Sequence, residues 1–185
     1  MLAIISRLAS HKGLDLVTEI AEQALEDGVQ LVVLGTGEAR FEEFFRALEA
    51  KYPNQMRALI TYNRDLSKRI YAACDIFLMP SKSEPCGLSQ MIASRYGAIP
   101  VTRETGGLYD SIKGYWEEGK TIHGNGFTFA GYSSAELLDA IRRAEAVWYD
   151  APRRRRLIAK IMNTDFSWQN SGEKYLDMYR QVLER

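Results

Sequence analysis

Asp75-Ile76-Phe77-Leu78-Met79-Pro80, followed by Ser83-Glu84-Pro85-Cys86-Gly87-Leu88-Ser89-Gln90 and then Met91 to Tyr96, is the stretch on which the reading of this chain turns. An apolar run, a polar turn with proline and glycine, and an amphipathic segment read as strand, loop and helix. In an open parallel sheet, ligands sit where such junctions leave the carboxyl ends of the strands. A glutamate there, beside backbone amides released by a turn and a helix start, is equipped to hold hydroxyl groups.

The same alternation extends in both directions. Leu2 to Ser6 is a short β-branched run, and Leu14, Val17, Ile20, Ala21, Ala24 and Leu25 follow it at helical spacing up to Gly28. Leu31 to Leu34 reads as a second buried strand, closed by Gly35-Thr36-Gly37, and Glu38 to Tyr52 as a second helix stopped by Pro53. A third strand is expected at Ala58 to Thr61, a third helix at Leu66 to Ala73, and a fifth strand at Ile99 to Thr102. Gly106-Gly107 opens a short helix, Phe127-Thr128-Phe129 reads as the last strand, and helices are expected at Ser134–Trp148, Pro152–Met162 and Trp168–Leu183. Strands alternating with helices predict an α/β fold: a Rossmann-like, doubly wound parallel sheet of about six strands with a C-terminal helical extension.

Composition narrows the function. The 185 residues carry 24 basic and 24 acidic side chains, a balance that argues against a nucleic-acid or polyanion binder. No apolar stretch approaches the roughly 20 residues of a membrane span, and Arg7 breaks the first apolar run, so neither a span nor a signal peptide is expected. Cys74 and Cys86 match no zinc spacing and no disulfide framework, which predicts a reduced, cytoplasmic setting. With two histidines and no clustered carboxylates, no metal site and no cofactor are expected. The first strand starts directly after Met1, from which a fragment cut at a domain boundary is expected, with a short natural protein as the alternative.

Several residues have both a chemical and a structural reading. Arg7 and Lys12 flank the first βα turn, where they form either a diphosphate clamp or two solvated cations. Gly35-Thr36-Gly37-Glu38-Ala39-Arg40 departs from the dinucleotide fingerprint at Arg40 and follows the second strand rather than the first, so a nicotinamide or flavin site is disfavoured. A close approach to another ligand and a plain tight turn both remain. Thr105-Gly106-Gly107 exposes consecutive amides at a helix start, a common phosphate cradle. Glu84 is either a ligand for hydroxyls or a helix cap, and Cys86 reads as a small packed residue rather than a nucleophile. Arg153 to Arg156 circle a helix turn and read as solvated, while Trp148, Trp168, Tyr175 and Tyr179 read as core or interdomain packing.

Ser6-Arg7-Leu8, His11-Lys12-Gly13-Leu14-Asp15-Leu16, Ser81 with Glu84–Gln90, Thr105-Gly106-Gly107-Leu108 and Asp165-Phe166-Ser167-Trp168, in this order, resemble bacterial glycogen synthases and plant starch synthases. These enzymes use a nucleotide sugar and have the glycosyltransferase-B architecture, two Rossmann-like domains facing across a cleft. The resemblance implies that residues 1–185 form one nucleotide-sugar-binding domain, the C-terminal half of such an enzyme without its N-terminal domain. It further implies retaining transfer of glucose from ADP-glucose to the 4-OH end of an α-1,4-glucan, in the cytoplasm or, in a plant, the plastid. The glucan would be engaged through the N-terminal domain, and the fragment alone would be inactive.

The same resemblance assigns roles. Arg7 and Lys12 hold the donor diphosphate, Glu84 contacts the transferred glucose, and Cys86, Gly87 and Leu88 surround that sugar. Thr105, Gly106 and Gly107 meet the phosphates, Tyr62 stands near the adenine, and Gly35 and Gly37 line the nucleotide cleft. One departure concerns the wider superfamily, in which a second glutamate often occupies the position of Ile92. A transferase with another donor base or acceptor, and a non-catalytic nucleotide-binding module, stand as alternatives.

Overall fold

A computed structural model describes residues 1–184. Its strands form one parallel sheet in the order β3-β2-β1-β4-β5-β8, with β1 at Leu2–Ile5, β2 at Leu31–Leu34, β3 at Met56–Leu59, β4 at Ile76–Met79, β5 at Ile99–Arg103 and β8 at Phe127–Phe129. Helices connect them: α1 (Leu14–Glu26), α2 (Ala39–Lys51), α3 (Arg64–Ala73), α4 (Ser89–Arg95) and α5 (Gly106–Ser111). After β8 come α6 (Ser134–Tyr149), α7 (Ala151–Met162) and α8 (Trp168–Leu183). The doubly wound parallel sheet expected from the alternation is the observed architecture.

Alternating side chains divide the core into two layers, as a strand buried on both faces requires. Leu2, Ile4, Leu31, Val33, Ile76 and Leu78 join the layer built with α1, α2, α6 and α7. Ala3, Leu34, Phe77 and Met79 join the layer that holds Ile70 and Tyr71 of α3, Ala93 of α4 and Leu108 of α5. Burying each large side chain contributes about 1.5–3 kcal/mol. Caps delimit the helices: Asn63 accepts from the Leu66 N–H, Ser133 from Glu136 and Asp150 from Arg153, with Pro152 in the first turn of α7.

The order of the strands decides where a ligand can sit. The chain runs outward one way through β1, β2 and β3, then returns to place β4 on the other side of β1. The helices that follow β1 and β4 pack on opposite faces of the sheet, so the order reverses at the carboxyl ends of these two strands, the place where ligands of such sheets sit.

Three expectations are corrected. The third strand begins at Met56 rather than Ala58, because Arg57 lies on the open edge of the sheet, with its guanidinium on Glu49 at 2.8 Å. A charged residue on an edge strand hides the strand start from an apolar pattern. Between α5 and β8 lies an antiparallel hairpin, β6 (Trp116–Glu118) and β7 (Thr121–His123), too short for its alternation to stand out. Its ends are closed by Trp116 stacked on His123 with ring centroids 3.8 Å apart. Trp168, Tyr175 and Tyr179 are exposed, which removes the core half of their reading and leaves interdomain packing.

Arg153 and Arg156 are not simply solvated either. Both reach Glu117 of the hairpin, at 3.3 and 3.1 Å, and Arg156 also donates to the Lys120 carbonyl. Among the described residues, no helix is long and apolar enough to cross a membrane. No group of three or more His, Cys, Asp or Glu among them is placed to hold a metal ion.

Gly13 connects the first loop to α1 at φ +70°, and a Cβ there would lie 2.0 Å from the Pro80 carbonyl oxygen. Gly13→Ala is expected to destabilise the chain by about 2–4 kcal/mol, because both a left-handed backbone and a backbone clash must be accommodated. Gly172, in α8 with open space around its Cβ position, is the control. Gly172→Ala should raise the urea midpoint by the equivalent of about 0.5–1 kcal/mol, since alanine orders a helix more readily.

Candidate active site

The first βα loop is built to bring a cation to the point where the strand order reverses. After β1, a single tight turn at Ser10–Lys12 precedes Gly13, and α1 starts at Leu14. The His11 carbonyl, exposed by that turn, accepts the N–H groups of Lys82 (2.9 Å) and Ser83 (3.3 Å). These belong to the loop after β4, so the two loops are fastened backbone to backbone. That fastening sets Lys12 against Glu84: Nζ donates to Oε2 at 2.6 Å, and the Ser81 hydroxyl donates to the same oxygen at 3.3 Å.

Both partners are largely removed from water, with side chains 17% and 10% exposed. Glu84 is thus not a helix cap. Arg7 lies on the same rim, exposed, with Nη2 3.3 Å from His11 Nε2. An ammonium, a guanidinium and a carboxylate stand together where the strand order reverses. Such a set can hold an anion and orient hydroxyls at neighbouring points.

A cleft of about 250 Å³ opens beside them above the ends of β1, β2 and β3. Arg7, Gly35, Thr36, Tyr62 and Asn63 are among its walls, and Tyr62 is 88% exposed, offering a flat ring to a ligand. Gly35 allows the cleft floor to close: a Cβ would lie 1.8 Å from the Ser6 carbonyl oxygen. Gly37 stands elsewhere, bridged to Leu8 with its N–H accepted by Glu42 at 2.9 Å. It contributes to the cleft by letting the first two loops touch.

The glycine pair after β5 has a similar function. A Cβ on Gly106 would lie 2.2 Å from the Glu84 carbonyl oxygen, and one on Gly107 2.1 Å from that of Cys86. The Gly107 N–H donates to the carbonyls of Glu84 (3.0 Å) and Pro85 (3.2 Å). This amide is therefore committed to the Glu84 turn, while Thr105 stands at the start of α5. Beyond Glu84 the turn is held from beneath by fully buried Gln90, whose Nε2 donates to the Gly87 carbonyl and the Ser111 hydroxyl, both at 3.0 Å. Gly87 adopts φ +74°, and Leu88 is 68% exposed. Cys86 is exposed rather than packed.

The two thiols differ: Cys74 precedes β4 at the amino edge of the sheet, and Cys86 lies in the Glu84 turn. Burial pushes the Cys74 thiol up to about 12, which makes it inert, whereas Cys86 is open to reagents. The Ser10 hydroxyl and amide, then Arg40, hold the Glu38 carboxyl below its usual range. Arg40, which breaks the dinucleotide fingerprint, thus braces the first loop: Nη2 donates to Ser10 Oγ at 2.8 Å and Nε to Glu38 at 3.0 Å. Sequence reading missed this brace. It also missed a bond from the Tyr132 hydroxyl to Asp15 Oδ1 at 2.5 Å, which ties the loop after β8 to the first turn of α1. Neither has a local signature, because the partners lie 30 and 117 residues apart.

Glycogen synthase from Clostridium beijerinckii is 49% identical over 182 residues, 98% of this chain and 38% of that protein. Glycogen synthase from Clostridium acetobutylicum is 47% identical over 184 residues, with 99% and 38% covered. The catalytic domain of starch synthase IV from Arabidopsis thaliana, bound to ADP and acarbose, superposes over the whole chain with a TM-score of 0.85 at 36% identity, and 38% of that chain is matched. The chain thus spans 38% of the length of the curated relatives it matches. Residues 1–163 match the family described as glycosyl transferases group 1, and the chain belongs to that family.

Proposed function

We propose that this chain is the donor-binding part of a glycogen or starch synthase, which transfers glucose with retention from ADP-glucose to the 4-OH end of an α-1,4-glucan. The observation that carries this reading is the contact of Lys12 with Glu84 at the carboxyl ends of β1 and β4, next to the cleft of Gly35 and Tyr62. The nucleotide occupies the cleft, with its base against Tyr62. The diphosphate lies toward Arg7 and Lys12, and the glucose reaches the turn of Glu84, Cys86, Gly87 and Leu88. The ADP named with the Arabidopsis starch synthase supports adenine as the donor base.

The chemistry follows from charge. As the bond between the sugar C1 and the phosphate oxygen breaks, negative charge gathers on the diphosphate leaving group. Arg7 and Lys12 stand ready for it, which is electrostatic stabilisation by groups already in place. Glu84 accepts hydrogen bonds from glucose hydroxyls and holds the sugar in the reacting orientation. Lys12 links the two ends, because one ammonium can face both the phosphate and the carboxylate. The glycine pair after β5 supports the phosphates from the loop side, with Gly107 acting through the Glu84 turn.

In the intact synthase, Lys12→Ala and Glu84→Ala are each expected to lower kcat/KM by about 10²–10³-fold, the effect of losing one preplaced donor or acceptor. Each also leaves a largely buried charge unpaired, with an expected stability cost of about 2–4 kcal/mol. A Lys12→Met/Glu84→Leu double variant separates the two effects. Stability should recover while activity stays at least as low as in the single variants; near-normal turnover in any of the three variants would remove the proposed roles.

The 185-residue chain alone should bind ADP-glucose weakly and incorporate no glucose into glycogen. Titration against UDP-glucose tests the donor base, and a preference for UDP-glucose would reassign it. ADP-glucose should also slow alkylation of Cys86 in the native chain, with Cys74 unreactive throughout. Unchanged Cys86 reactivity at saturating donor would place the sugar elsewhere.

A further inference from the structure

Arg103, the last residue of β5, has no part in the assignments above, yet it contacts both sides of the site. Nε donates to the Ser81 carbonyl at 2.9 Å, Nη2 to the Lys82 carbonyl at 2.7 Å and Nη1 to the Ala130 carbonyl at 3.2 Å. Ser81 and Lys82 open the turn that ends in Glu84, and Ala130 follows β8. The same turn is held from its other side, where the Lys82 and Ser83 amides donate to the His11 carbonyl. One segment is thus gripped by its carbonyls from β5 and by its amides from the first loop.

Those grips converge on the ion pair. His11 precedes Lys12, and the Ser81 hydroxyl donates to Glu84 Oε2. Behind the guanidinium lies the Tyr132 ring, 5.6 Å from Arg103 Cζ and 5.5 Å from Lys82 Nζ. Through its hydroxyl that ring is tied to Asp15 of α1. The three guanidinium hydrogen bonds of Arg103 all end on loops at the ligand edge. A planar fork with several donors in fixed directions can serve three carbonyls at once, which a lysine ammonium on a flexible stem cannot do in the same geometry.

We infer that Arg103 is a positioning residue for the sugar end of the site. It fixes the Ser81–Glu84 turn so that the Glu84 carboxylate meets the glucose of the bound nucleotide sugar. The inference rests on the nucleotide-sugar reading above and adds the group that sets where the carboxylate stands. Arg103 acts through the turn and leaves the nucleotide cleft to Gly35 and Tyr62.

The test uses the whole chain labelled with 15N, as wild type and as Arg103→Ala, with amide exchange measured alongside titrations with ADP and with ADP-glucose. In Arg103→Ala the Lys82 and Ser83 amides should exchange at least about tenfold faster, with β1 and β4 amides unchanged, as a local opening requires. The ratio of the ADP-glucose Kd to the ADP Kd should rise about tenfold, because charge-assisted bonds that hold the turn are lost, while ADP affinity stays within about twofold. Unchanged exchange at Lys82 and Ser83, or an equal loss for both ligands, would overturn the inference. A wild-type chain that binds neither ligand would instead sink the nucleotide-sugar reading, and the exchange data would still report whether Arg103 holds the turn. If Arg103→Ala does not fold, Arg103→Lys, which keeps the charge and stem but not the fork, is read in the same assays.

Discussion

At the carboxyl edge of the sheet, neighbouring βα loops touch backbone to backbone, and the site depends on that contact. The first loop meets the fourth where Gly13 passes the Pro80 carbonyl, and the fifth meets the fourth where Gly107 passes that of Cys86. No side chain fits between them. Amides and carbonyls of one loop then become partners for the next, as with Lys82 and Ser83 on His11 and Gly107 on Glu84. Loops on the outside of a fold are ordinarily its most mobile parts. Here they are fastened to each other, so side chains 72 residues apart can be held within hydrogen-bond distance.

The Lys12–Glu84 pair is a costly way to join two loops. Removing both charges from water opposes much of their mutual attraction, and apolar groups of similar shape hold loops at least as well. Apolar contacts are abundant immediately below, where Leu8 and Leu14 are completely buried. A charged pair at the reversal of strand order, with an exposed guanidinium on the same rim, fits a binding role better than a structural one. In the proposed function, the ammonium and carboxylate answer the two chemically different ends of a nucleotide sugar, an anionic diphosphate and a set of hydroxyls.

Much of this could be read in the chain itself. Fully buried parallel strands leave continuous apolar runs such as Ile76 to Met79, and helices packed on one face leave the spacing seen from Leu14 to Leu25. The loop residues Lys12, Gly35 and Glu84 stood out by type and by place, whereas Tyr62 came only from the resemblance to glycogen and starch synthases. What escaped were features whose partners are distant or whose environment is mixed. Arg57 masked the start of an edge strand, and a hairpin with three residues on each side was too short for its period to register. Arg153 and Arg156 looked solvated because Glu117 lies 36 and 39 residues earlier. Arg103 carried only a weak hint, a basic residue ending a central strand at the ligand edge, comparable to Arg7 after β1. Its three carbonyl partners are main-chain groups, which no side-chain pattern reveals.

The central claim is spatial: one ligand lies across the rim, with its base in the cleft of Gly35 and Tyr62 and its sugar at Glu84. The most direct measurement is a crystal structure of the chain with intact ADP-glucose. The account predicts adenine against Tyr62, phosphate oxygens within hydrogen-bond distance of Arg7 and Lys12, and glucose hydroxyls on the Glu84 carboxylate. A diphosphate bound away from the carboxyl ends of β1 and β4, with no ligand atom in contact with Lys12 or Glu84, would contradict it.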